Sequence, residues 1–216
     1  MPPFFKGFSV EVCAVATEVM SEDATGGPAK PMRADARRNY ERLVEAARQV
    51  FTDQGGEASM ETIAKQAGVG VGTLYRHFPK RIDVVEAVYR GDVETLVRAA
   101  DRGPGELPPW EALEAFLRGY VAYARGKKVL INELHEAFDK NPGLKLESRD
   151  RIWAACGRVL ARAQAAGMAR SDIDGDDLMQ LVSPMCVHAT LTEEQGDRLL
   201  AMVLDGLRPP GPEKLS

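Results

Sequence analysis

"GVGVGTLYRHF", residues 68–78, places three glycines at alternate positions ahead of an aromatic and basic run. Two local structures compete for it. A dinucleotide-binding loop needs G-x-G-x-x-G opening a helix directly after a β-strand. Counting from Gly68, the third glycine would fall at position 73, which is Thr73. The preceding "METIAKQA" carries Met60, Ile63, Ala64 and Ala67 at helical spacing, so no strand leads into Gly68. A helix-turn-helix needs a small residue where two short helices meet, a sharp turn, and apolar anchors after it. Ala64, Gly68, and the trio Val69, Leu74 and Phe78 meet those needs.

The residues left outward on the helix after the turn are Gly72, Thr73, Tyr75, Arg76 and His77. Small residues at a helix start let its backbone approach a groove wall. Thr73 can offer a methyl to thymine or a hydroxyl to a base or phosphate. Tyr75, Arg76 and His77 are donors suited to phosphate oxygens. Blander readings stand beside these. Tyr75 can pack on the head's own core, His77 can be a satisfied or merely exposed histidine, and Gly70 and Gly72 can be turn residues. Arg33, Arg37 and Arg38 are either a solvated helix start or a basic arm for the adjacent minor groove.

The rest of the 216-residue chain reads as helix. Residues 1–32 end in "SEDATGGPAKP", a flexible arm with Met20 and Met32 as alternative starts to Met1. Its apolar "FSVEVCAVATEVM" is interrupted by Glu11 and Glu18 and makes a poor signal peptide. Apolar periodicity predicts a helix from Asp35 until Gly55-Gly56 stops it. Ser59 caps a second helix, a third runs about Val71–Phe78, and a fourth runs Arg81 to about Arg90. "DRGPGELPPW" (101–110) is a linker, and further helices are expected over 110–124, 128–139, 146–166, 176–190 and 193–205. Thr192 with Gln195 forms a capping box at the last of these. The domain boundaries expected are an arm at 1–32, a head at 33–90, a bundle at 91–208 and a disordered tail at 209–216.

Charge is unevenly spread. The chain is net −4, yet residues 33–90 hold 10 Lys and Arg against 8 Asp and Glu. The one segment with a positive balance is the one holding the quoted stretch, which fits a polyanion partner. Three cysteines (Cys13, Cys156, Cys186) without CxxC spacing indicate free thiols in a reducing cytoplasm. No apolar run is long enough to span a membrane.

The stretch "METIAKQAGVGVGTLYRHFPKRIDVVEAVY" resembles the DNA-binding region of tetracycline-repressor-type (TetR family) regulators over roughly residues 33–90. Gly72–Phe78, with Ala64 and Gly68, carries the resemblance. It implies an all-α fold: an N-terminal three-helix helix-turn-helix DNA-binding head followed by a C-terminal helical ligand-binding and dimerisation bundle. It also implies that Thr73 touches bases or backbone, that Tyr75 and His77 hold phosphates, and that Arg81 binds phosphate at the fourth helix start. Ser59, as cap, is a further phosphate contact. Gly70 departs from the usual capping Ser or Thr. Lys80 replaces another common cap; it adds a possible phosphate contact but sets positive charge at the unfavourable end of the helix dipole.

In the C-terminal half Phe116, Tyr120, Tyr123, His135 and Trp153 are ligand-pocket candidates, although the aromatics recur at helical spacing and fit bundle core better than a pocket. No Glu precedes a histidine by three, so no metal is expected, and no cofactor loop is present. Leu199, Leu200, Val203, Leu204 and Leu207 form a wide apolar face at the chain's end, and the segment before it, with Leu181, Met185 and a kinking Pro184, is apolar nearly all round. Two copies packing as a four-helix bundle would cover both, so a homodimer is expected. The expected function is a ligand-responsive regulator of double-stranded DNA, a repressor released from a near-palindromic operator by a small molecule. The alternatives are a small helical enzyme, which lacks a recognisable nucleophile–base pair, and a family member whose head does not bind DNA.

Overall fold

A computed structural model describes residues 29–101, 107–187 and 192–209. The expectations for the arm up to residue 28, for Cys13 and for the tail from 210 lie outside the described residues. The helices are α1 (Ala29–Gln54), α2 (Met60–Ala67), α3 (Val71–His77), α4 (Arg81–Asp101), α5 (Pro109–Val129), α6 (Ile131–Lys140), α7 (Pro142–Ala165), α8 (Gly175–Val187) and α9 (Glu193–Gly206). A single 3-10 turn, Gly55–Glu57, separates α1 from α2. No β-strand occurs among the described residues, so the fold is all-α as the periodicity requires.

The chain divides after Arg38 into two units, Met1–Arg38 and Asn39–Ser216. In the first, Arg37 and Arg38 are exposed, and Arg38 pairs with Asp35 one turn earlier. The second contains everything else that follows.

Several helices outrun their sequence-based limits. α1 begins at Ala29 rather than Asp35. α4 continues past Arg90 to Asp101 because Val93, Leu96 and Ala100 extend the buried stripe of Val85 and Val88. The α5–α6 break falls at Leu130 instead of 125–127. Leu130 is buried there, so the chain turns on an apolar anchor that composition does not mark.

α4 is the central strut, packing on α5, α6 and α7, while α7 also contacts α5 and α8. One close approach depends on a missing side chain. A Cβ on Gly175, at the start of α8, would lie 2.6 Å from Cα and 2.8 Å from N of Gly157 in α7. Backbone cannot give way as a flexible side chain can, so only glycine fits. Gly157 itself is open, with nothing within 4 Å of its own Cβ position. Cys156, beside it, is a free and buried thiol that burial pushes up to about 12. Cys186 is likewise free and buried.

Among the described residues no helix is long and apolar enough to cross a membrane. No group of three or more His, Cys, Asp or Glu could hold a metal ion among them.

The Gly157/Gly175 pair makes an asymmetric prediction. Gly175→Ala should cost about 1–3 kcal/mol, the range for forced overpacking. Gly157→Ala, in a helix interior with free space, should be neutral or stabilise by about 0.5–1 kcal/mol. Thermal unfolding of the two single variants checks this, and equal effects would contradict it.

Candidate nucleic-acid interface

The head is built around the turn between α2 and α3. Ser59 starts α2 in extended conformation, and its Oγ accepts the Thr62 N–H at 3.1 Å. At the other end Gly68 adopts φ +64°, a left-handed conformation open to glycine at little cost. The Val69 N–H then donates to the Ala64 carbonyl at 3.0 Å and the Gly68 N–H to that of Lys65 at 3.1 Å. The Ala67 and Gly68 carbonyls, left over at the helix end, accept Arg42 Nη2 from α1 at 2.5 and 3.2 Å. Leu74 and Phe78 are buried beneath α3. Those anchors fix the rotation of the helix and therefore which side chains point outward.

Outward lie Val71, Gly72, Tyr75, Arg76 and Lys80, all exposed, with Thr73 half-buried at their edge. Tyr75 is 43% exposed, so its ring is not part of the head's core. Gly70 caps α3 without a side-chain hydrogen bond; its carbonyl accepts the Thr73 N–H at 2.9 Å. No Cβ-sized obstacle lies within 4 Å of Gly70 or Gly72. No acidic residue interrupts α3. Lys80 precedes α4, and its backbone N–H is capped by Asp83 Oδ2 at 2.9 Å, which offsets the unfavourable charge placement.

Three residues differ from their sequence-based roles in emphasis. Ser59 Oγ is taken by Thr62, both N–H and hydroxyl, so it is first a helix cap. His77 is half-buried, its ring 6.2 Å from that of Tyr40 in an edge arrangement and 6.3 Å from Phe78. Arg81 departs furthest. Its guanidinium donates to the carbonyls of Ala58 and Gly56, the latter at 2.9 Å, pairs with Glu133 Oε1 at 3.3 Å, and lies 5.0 Å over the Phe51 ring. Three hydrogen bonds directed at the chain's own acceptors make it a strut between α1, α4 and α6, with two of them made to carbonyls at the end of the 3-10 turn. The side chain of Arg33 lies outside the described residues.

Sequence reasoning missed Arg42, Tyr40 and Val71. An arginine 25 residues from the turn it clamps has no local signal. Tyr40 shares the helical spacing of the apolar residues of α1, yet it is 40% exposed while its ring packs 5.2 Å from that of Phe78. Burial raises its hydroxyl pKa, with the Arg90 charge opposing.

Behind the head, three ion pairs join it to the bundle. Arg48 Nε of α1 donates to Asp92 Oδ1 of α4 at 2.6 Å and also pairs with Glu45. Arg81 reaches Glu133 on α6, and Lys140 Nζ on α6 reaches Asp83 Oδ1 at 3.2 Å. Inside the bundle, Tyr89, Tyr120, Tyr123 and Phe138 form an aromatic cluster with ring separations of 5.4 to 6.1 Å. Burial pushes the Tyr123 and Tyr120 hydroxyls upward, so both stay protonated; Tyr120 shares a 2.7 Å hydrogen bond with Ser183 of α8. Of the pocket candidates, Tyr120 and Tyr123 meet there. Phe116 is fully buried in the core, Trp153 is half-buried under Arg149, and His135 is exposed on α6.

Such a head, presenting a short polar helix on a clamped turn, defines a helix-turn-helix DNA-binding regulator. Comparison with known proteins agrees. Residues 43–88 match the family description "Bacterial regulatory proteins, tetR family", and residues 108–209 match "Transcriptional regulator SbtR-like, C-terminal domain". The TetR transcriptional regulator SCO0520 from Streptomyces coelicolor is 37% identical, covering 80% of this chain and 99% of that one, with a TM-score of 0.71. A TetR transcription regulatory protein from Mycobacterium vanbaalenii is 34% identical over 82% and 99% of the two chains, with a TM-score of 0.66. An HTH-type transcriptional regulator of Staphylococcus aureus (strain USA300) is 42% identical over 67 residues, which is 31% of this chain and 36% of that relative. The chain belongs to the TetR family of transcriptional regulators. It is a DNA-binding regulator and not an enzyme.

The geometry separates two arginines. Arg81→Ala should lower thermal stability through the unpaired Gly56 and Ala58 carbonyls, by about 1–3 kcal/mol, and leave the salt dependence of DNA binding unchanged. Arg76→Ala should leave stability within about 0.5 kcal/mol and reduce the slope of log K against log salt by about 1. Unfolding curves and fluorescence anisotropy across a salt series measure both, and a reversed pattern would reassign the phosphate contact.

Proposed function

We propose that this regulator binds a near-palindromic operator as a homodimer and acts as a repressor that a small-molecule effector releases. The observation that carries the DNA contact is the outward edge of α3, polar and exposed on buried Leu74 and Phe78 anchors. Thr73, Gly70, Gly72 and exposed Val71 would approach the base edges, the apolar Val71 suiting a thymine methyl. Tyr75, Arg76, His77 and Lys80 would hold phosphates. Arg33 and Arg37 would supply a minor-groove arm. Ser59 adds at most a backbone-side contact, and Arg81 acts by holding the head in place.

Support for the homodimer comes from α8 and α9. Between them runs an open groove of about 1100 Å³ lined by Leu178, Leu181, Met185, Leu199, Met202 and Val203, among others. Leu181 is 61% exposed and Met202 69%. Contiguous exposed apolar surface of this kind marks an interaction site, and an isologous pairing of two helices per copy would bury it. Leu204 is already buried within the chain and supports α9 from beneath. The dimer would set two α3 helices about 34–36 Å apart, in successive major grooves.

The effector reading rests on the Tyr89–Tyr120–Tyr123–Phe138 cluster, of which Tyr89 and Phe138 lie on α4 and α6, the helices that the three ion pairs involve. Changing the packing between α4 and α6 would move the Arg48, Arg81 and Asp83 attachments and thus the separation of the two heads. A ligand shifts that balance only by its differential affinity for the two arrangements.

Selection of bound duplexes from a random pool with the full-length protein should return an inverted repeat. Thr73→Ala with Tyr75→Ala should weaken binding to it by at least about tenfold while melting temperature and dimer mass stay unchanged. Retained affinity would remove α3 from the interface. Leu181→Glu with Met202→Glu should convert the dimer to monomer by light scattering and abolish tight operator binding; a dimer persisting in that variant would place the subunit contact elsewhere.

A further inference from the structure

Gly91 stands at the centre of α4, a helix of 21 residues. A glycine inside a helix weakens it, because glycine has the most backbone freedom to lose. Two observations give it a purpose there. A Cβ on Gly91 would lie 3.1 Å from Nη2 of Arg48 and 3.7 Å from Cγ1 of Val44, both on α1. The missing side chain leaves the room in which the Arg48 guanidinium lies as its Nε reaches Asp92 Oδ1 at 2.6 Å, with Glu45 as a second partner. The other observation concerns α4 itself. Thr95 Oγ1 donates to the Gly91 carbonyl at 2.9 Å, a bond to the preceding turn of the kind that slightly weakens and often bends a helix.

The polar attachments of α4 change partner at this point. Ahead of Gly91, Arg81 donates to the Gly56 and Ala58 carbonyls and to Glu133 of α6, and Asp83 pairs with Lys140 of α6. Beyond it, Glu94 pairs with Arg151 and Asp101 with Arg158, both on α7, and the Ala100 carbonyl accepts Arg162 Nη2 of α7 at 2.7 Å. By these attachments the head and α6 hold one half of the helix and α7 holds the other. Arg48 and Asp92 meet at the boundary. Their pair is partly shielded, so salt screens it less than the more exposed Arg98–Glu94 pair on the same helix.

We propose that Gly91 is a flexible point in α4 whose angle the Arg48–Asp92 pair fixes, so that Gly91, Arg48 and Asp92 are positioning residues for operator binding. They act through the direction of α1. That helix carries the Arg42 clamp on the turn between α2 and α3, so its direction is passed to the outward edge of α3. In the homodimer proposed above, on which this role rests, the direction sets the separation of the two α3 helices and hence the half-site spacing that the protein accepts. With the pair intact one spacing is favoured. Without it α4 samples several angles, and neighbouring spacings become acceptable.

The test uses the full-length protein and duplexes carrying the selected inverted repeat, with its half-sites moved apart or together one base pair at a time. Arg48→Met and Asp92→Asn should each reduce the wild-type preference for the selected spacing by about threefold or more. Adding Gly91→Ala to Arg48→Met should restore much of that preference, since the alanine then meets no guanidinium and stiffens the helix. Amide hydrogen exchange over residues 88–97, measured without DNA, should quicken by about threefold or more in both single variants and slow again when Gly91→Ala is added. The single variants break the pair from opposite sides, and far-UV circular dichroism shows which of them is folded, so either one carries the test. A wild-type spacing preference in a folded single variant, or no recovery on adding Gly91→Ala, would overturn the positioning role. Unchanged exchange would overturn the flexible point. A wild-type protein indifferent to spacing would sink the operator reading and the positioning role with it, and the exchange rates, which need no DNA, would still decide the flexible point.

Discussion

Two carbonyls at the end of α2, those of Ala67 and Gly68, receive the guanidinium of Arg42 from α1. At that point the chain has reversed through a left-handed glycine, and the backbone acceptors exposed by the reversal must be satisfied. The clamp ties the turn to the long first helix, so the angle between α2 and α3 is held by a charged hydrogen bond as well as by apolar packing. From this angle follows the placement of Leu74 and Phe78 inside. From their placement follows the outward edge of Thr73, Tyr75 and Arg76. A slacker turn would leave the same residues on α3 without a defined direction.

Behind this head α4 works as a lever with contacts at both ends. Its first turn carries Arg81 and Asp83, joined to Glu133 and Lys140 of α6, and its middle carries Asp92, joined to Arg48 of α1. The Arg48–Asp92 and Arg81–Glu133 pairs are partly shielded, and Arg81 reaches carbonyl acceptors as well as a carboxylate. They therefore couple more strongly than the exposed i,i+4 pairs such as Arg98–Glu94 or Arg118–Glu114, whose contribution is a few tenths of a kcal/mol. Arg81 illustrates the economy of the arrangement. One planar guanidinium closes the 3-10 turn, stacks on Phe51 and reaches a second helix, a combination that lysine's point charge could not reproduce.

The bundle contrasts with the head in how its polar groups are treated. Tyr120 finds Ser183, and the capping box at Thr192 and Gln195 is complete, with both hydrogen bonds formed at 3.0 and 3.2 Å. Gln164 bonds the Arg170 and Ile173 carbonyls in the turn after α7. Against that background, the open apolar groove between α8 and α9 stands out as a place where packing within the chain is incomplete. Incomplete local interactions of this kind are where proteins keep binding function at some cost in stability.

The head was legible in the sequence because its signals are local. The Ser59 cap, the Gly68 turn and the helical spacing of Met60, Ile63, Ala64 and Ala67 lie within ten residues, and periodicity reports them directly. The capping box at Thr192 and the helical character of the whole chain were readable for the same reason. Helix lengths were less so: α4 runs on past Arg90 because partners from α5, α6 and α7 cover Val93, Leu96 and Ala100, and those partners are distant in the chain. Tertiary contacts alone turned Arg81 onto the Gly56 and Ala58 carbonyls and made Arg42 the clamp of a turn 25 residues away. They alone brought Gly175 against Gly157 and gathered Lys127, Tyr89 and Phe138. Spacing along the chain determines which face a side chain occupies, but what meets that face is decided by packing between segments whose separation the sequence does not encode.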